Sequence, residues 1–113
     1  MRMTANVPEP INSNIVRLMI HDAGNGVYLF GYDKLADSGG LFDDWYETVE
    51  DAQDAASREY QVAADAWAVI ADPLEDCQQD WIQPVRVKGR DIGQPQYGQL
   101  ERLVNGNWED FVE

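Results

Sequence analysis

The chain has one cysteine, one histidine and only eight Lys+Arg in 113 residues, and each scarcity removes a class of function. Cys77, alone, closes no intrachain disulfide, which points to a reducing, cytoplasmic compartment. Its neighbours Glu75, Asp76 and Asp80 disfavour a thiolate, so Cys77 reads as an inert small side chain in or beside a loop. His21 meets no nucleophile motif for Ser–His or Cys–His catalysis and no second imidazole for a zinc site. Beside a glycine-rich turn it reads as an exposed, turn-flanking residue. Eight bases against 21 acids give a net charge of -13, which argues against a broad phosphate-binding face and against adsorption to anionic membranes. Direct contact with nucleic acid or membrane is therefore not expected. The sequence contains no run of about 18 apolar residues, so no transmembrane helix is expected. The first ten residues lack the apolar core of a secretory signal. The EF-hand order and the Walker sequence are missing, and Gly24-Asn25-Gly26 lacks the third glycine of a dinucleotide fingerprint. No cofactor or metal is expected.

What the chain does have is charge in one place. From Leu35 to Gln83, thirteen acids face one base, Arg58, a net -12; elsewhere seven bases face eight acids, a net -1. The chain is also 44% hydrophobic and 11% aromatic, which an acidic disordered tail is not, so a folded core is expected.

The pattern of residues predicts an α+β fold: an N-terminal β-hairpin, one main α-helix on a small, mostly antiparallel sheet, further short strands and a C-terminal hairpin. Residues 1–13, with Pro8 and Pro10, read as an extended arm, and residues 14–113 as one domain. The first hairpin joins Asn14–His21 to Val27–Tyr32 across Asp22-Ala23-Gly24-Asn25-Gly26. Both faces of its first strand carry apolar side chains, so that strand is covered on two sides or lies inside a sheet. Residues 34–45 read as loop, broken at Asp37-Ser38-Gly39-Gly40. Thr48 then caps a helix over 49–60, with Asp51 at the third helical position and Val49, Ala52, Ala56 and Tyr60 on the inward stripe. Asp54 and Arg58 form an i, i+4 pair on it.

Residues 63–70 either extend that helix or end in a short strand, and the reading adopted is a strand at Trp67–Ala71. Trp81–Lys88 reads as a strand that Pro84 pushes to an edge or divides. Asn105-Gly106 predicts a type I′ hairpin that sets Leu103 against Trp108, Arg102 against Glu109, Leu100 against Phe111 and, unfavourably, Glu101 against Asp110. The competing reading is a short helix over 96–104 with Gly106 past its end.

Carboxylate pairs such as Asp43-Asp44, Glu50-Asp51 and Glu75-Asp76 are too common among 21 acids to mark an active site. Two stretches, Asp37–Asp44 and Asp72–Asp80, carry charge with no local structural use. In Leu41–Glu47, the aromatic Phe42, Trp45 and Tyr46 lie beside Asp43 and Asp44; in the second, Asp72, Glu75, Asp76 and Asp80 precede Trp81. Aromatic contact area with carboxylates that steer a cation is the chemistry of a surface for a basic protein partner. The expected function is thus a small acidic, non-enzymatic, intracellular interaction or regulatory domain, monomeric or weakly dimeric. Two alternatives remain open: a DNA mimic that occupies a DNA-binding protein, and a small carboxylate-based or metal-dependent hydrolase.

Overall fold

A computed structural model describes residues 1–9 and 14–112. The chain divides into two compact units, Met1–Asp72 and Pro73–Glu113. The fold is α+β, as expected.

The first unit holds a five-stranded antiparallel sheet: β1 (Arg2–Asn6), β2 (Arg17–Asp22), β3 (Val27–Tyr32), β4 (Phe42–Tyr46) and β5 (Ala68–Ile70), in the order β4-β3-β2-β1-β5. The β2–β3 hairpin forms where Gly24 and Gly26 take positive φ and Asp22 accepts a hydrogen bond from the Gly24 amide at 3.0 Å. Residues 2–6, set apart in the sequence reading as part of an arm, are a strand inside the sheet. β1 pairs with β2 on one side and β5 on the other. Its alternation explains this, since Met3 and Ala5 point to the core while Arg2 donates from Nε to the Ala71 carbonyl at 2.8 Å. Residues 10–13 of the expected arm lie outside the described residues.

A second correction concerns residues 34–45, expected as loop: Phe42–Tyr46 is the edge strand β4, paired with β3. Its two aspartates hid it, because acidic residues are poor strand formers. Cross-strand packing compensates. The Phe42 ring covers Gly31 and the Trp45 indole covers Gly26, each glycine leaving the space that a Cβ would fill.

The helix α1 (Val49–Tyr60) starts at Thr48, whose hydroxyl accepts from the Asp51 amide at 3.1 Å. It ends on Gln61 in the left-handed region at φ 60. Ala52, Ala55 and Ala56 are buried, and Val49 and Tyr60 flank them against the core. The small alanines bring the helix close to Leu18, Ile20, Val27 and Leu29 of the sheet. The other face of β2, with Arg17, Met19 and His21, is buried as well, so both faces of this strand are covered. His21, expected to be exposed, is buried because β2 lies inside the sheet with Arg2 and Tyr28 as its register neighbours.

The second unit contains β6 (Val85–Val87), β7 (Leu100–Val104) and β8 (Asn107–Phe111), ordered β6-β7-β8. The strand expected over 81–88 shrinks to three residues that begin immediately after Pro84, which has no amide to give a ladder. The C-terminal hairpin forms with the expected register, and its turn residues Asn105 and Gly106 both take positive φ, as a type I′ turn requires. Its unfavourable pair is relieved by a base in β6 and another just after it. Glu101 accepts from Arg86 Nε at 2.6 Å, and Asp110 from Lys88 Nζ at 2.8 Å.

Candidate functional site

The aromatic-acidic stretch 42–46 is the edge strand of the first unit, and period 2 divides it by face. Phe42 and Tyr46 pack against the core with Asp44 between them, while Asp43 and Trp45 occupy the opposite face. The core therefore absorbs two of the three aromatics. Trp45 is left 54% exposed, held over Gly26 at the end of the β2–β3 hairpin.

β4 leads through Glu47 and the cap Thr48 into α1, so strand and helix diverge from one corner. Between them opens a groove of about 380 Å³ lined by Trp45, Tyr46, Glu47, Asp51, Asp54 and Arg58. Arg58 Nε donates to the backbone carbonyl of Asp54 at 3.4 Å, which draws its guanidinium stem along the helix. The helix residues 51, 54 and 58 recur at three- and four-residue spacing and so share one face. That spacing was the signal available in the sequence. It is masked by the role of Asp51 and Asp54 at the helix N-terminus and of Arg58 near the other end.

Tyr46 and Tyr60 report the electrostatics of the seam. Both phenols are pushed above their ordinary value, first by burial. For Tyr46, Asp44 and then Glu59 add to the rise while Arg58 opposes it. For Tyr60, Glu59 acts ahead of Asp44. Two carboxylates thus bear on the same pair of phenols.

The second stretch behaves differently. The Asp72 carboxylate pairs with the Met1 ammonium at 3.0 Å, and the hydrogen bond from that group holds it below the usual carboxylate range. Glu75 and Asp76 are exposed in a turn, where Asp76 adopts φ 66, and Asp80 is half-buried. Trp81, a candidate anchor, is buried, with its indole edge-on to Phe111 at 5.6 Å. A buried indole offers no surface to a partner, so this stretch lacks the exposed aromatic that the first one keeps.

No known protein family, curated protein or solved structure matches the chain. The geometry alone therefore carries the functional argument. Among the described residues no group of three or more His, Cys, Asp or Glu is placed to hold a metal ion, and no helix is long and apolar enough to cross a membrane. The groove presents an indole and a phenol beside three carboxylates and one base, Arg58. An ammonium or guanidinium group gains there from the ring quadrupoles and from direct charge pairing.

Proposed function

We propose that this chain is a small, non-enzymatic binding module of the cytoplasm, and that its β4–α1 groove takes a basic segment of a partner protein. The observation that carries the reading is Trp45: a large apolar side chain, more than half exposed, at the mouth of a groove whose other groups include Glu47, Asp51 and Asp54. Exposed indoles beside charge are the usual energetic centres of protein interfaces. The net -12 of residues 35–83 extends the attraction beyond the groove and raises the encounter rate with a basic surface. As the single cysteine, Cys77 closes no intrachain disulfide, which is in keeping with a reducing compartment.

The test is a titration of the full chain with a lysine-rich peptide and with its glutamate counterpart, followed through the Trp45 indole N–H resonance. The lysine peptide should shift that resonance, weaken as salt rises, and lose about tenfold or more in affinity with Trp45→Ala. Equal responses to the two peptides, or binding that ignores salt, remove the charge argument. Competition by duplex DNA for a captured DNA-binding protein would instead favour the mimic reading.

A further inference from the structure

We infer that the partner segment binds as an extended strand added to the free edge of β4; this deepens the binding role proposed above and rests on it. β4 has β3 on one side, and no strand pairs with its other edge among the described residues. An edge strand directs alternate amides and carbonyls outward, where a further strand can take them up. The exposed run Asp43-Asp44-Trp45 lies along that edge.

Two features select the occupant. Asp43 and Asp44 are adjacent in a strand, so their carboxylates point to opposite faces of the sheet. A helix lying on either face reaches one of them. An extended chain in the plane of the sheet reaches both, provided it carries two consecutive basic residues. The same pair acts against a second copy of this chain: two β4 strands paired antiparallel in full register set Asp44 against Asp44. The charges thus disfavour self-pairing and attract a basic strand, which is specificity by exclusion as well as by contact. The other edge strands fit less well. β5 and β6 are three residues long, and on β8 the Asp110 carboxylate already accepts from Lys88.

The experiment uses the full chain and the hexapeptide acetyl-Thr-Val-Lys-Lys-Val-Thr-amide, together with two backbone-N-methylated versions, one blocked at the odd and one at the even positions. Strand addition uses only one set of peptide amides. One methylated version should therefore lose about tenfold or more in affinity while the other stays within about twofold of the parent. Amide resonances of residues 43–46 should shift with the parent peptide. Equal effects of the two methylation sets, whether both harmless or both damaging, overturn strand addition. If the parent peptide and an unstructured lysine-rich peptide both leave the Trp45 indole unmoved, the proposed binding function itself falls.

Discussion

Arg17 is the side chain whose surroundings fit it least. It is 4% exposed and its guanidinium lies 4.0 Å from the centroid of the Tyr32 ring, yet none of its three nitrogens has a hydrogen-bond partner among the described residues. A desolvated cation–π contact returns about 2 kcal/mol, whereas burying an ion costs several kcal/mol even after relaxation. The cost exceeds the return. Arg17→Met, which keeps the unbranched stem and drops the charge, is expected to stabilise the protein by about 1–3 kcal/mol in urea unfolding. A lower midpoint for the variant would show that Arg17 is compensated in solution. Gly26 is the opposite case, a residue that fits because it has no side chain. At φ 155, a Cβ there would overlap the Trp45 indole nitrogen. Gly26→Ala should destabilise by about 1–3 kcal/mol through its backbone and should displace the indole. Affinity for the lysine peptide should then fall although no charge has changed. An unmoved Trp45 resonance in that variant would dissociate the glycine from the site.

At the scale of elements, the seam of β4 and α1 makes its own pH dependence. Burial, aided by Asp44 and Glu59, raises the phenols of Tyr46 and Tyr60. An unfolded chain releases these protons near pH 10, while the folded chain holds them to higher pH. In that interval the native state binds more protons than the unfolded one, so the free energy of unfolding falls as pH rises. Below about pH 10 both states hold the proton and the two groups contribute no slope. Urea midpoints should therefore drop as pH rises above about 10, and the drop should be shallower in Tyr46→Phe and Tyr60→Phe. Variants with the parent slope would place the titration elsewhere. The elements that pattern alone revealed were those with local causes: the Thr48 cap, the two glycine turns and the C-terminal register down to the Glu101–Asp110 pair. β1 and β4 were hidden because their cause is tertiary. Residues 2–6 are a strand through pairing with β2 and β5, and Asp43-Asp44 through packing of Phe42 and Trp45 over glycines of β3 and its turn. The site was legible in the same proportion. Trp45 and its aspartates could be read from composition, but only the pairing of β4 brings them beside the acids of α1.

For the whole molecule, the uneven charge makes folding and binding respond to salt in opposite directions. Residues 35–83 carry a net -12, and neither Asp43 nor Asp44 has an ion-pair partner among the described residues. Mutual repulsion among these acids is present in the compact state and weaker in the expanded one, so it lowers stability. The pairs that salt would weaken are modest, since the Lys88–Asp110 bridge is largely solvated and such bridges contribute about 0–1 kcal/mol. Raising ionic strength from about 0.02 M to about 0.15 M shortens the screening length from about 20 Å to about 8 Å. Repulsion spread over a whole surface is screened first, so the melting temperature should rise by a few degrees across this range. Over the same range the lysine peptide should bind more weakly, because its attraction is the one that salt screens. A change in fold would move both quantities together, so their divergence is diagnostic. A melting temperature that falls with salt would mean that the acids are paired more than they repel, and the excess negative charge invoked to attract a basic partner would already be spent within the chain.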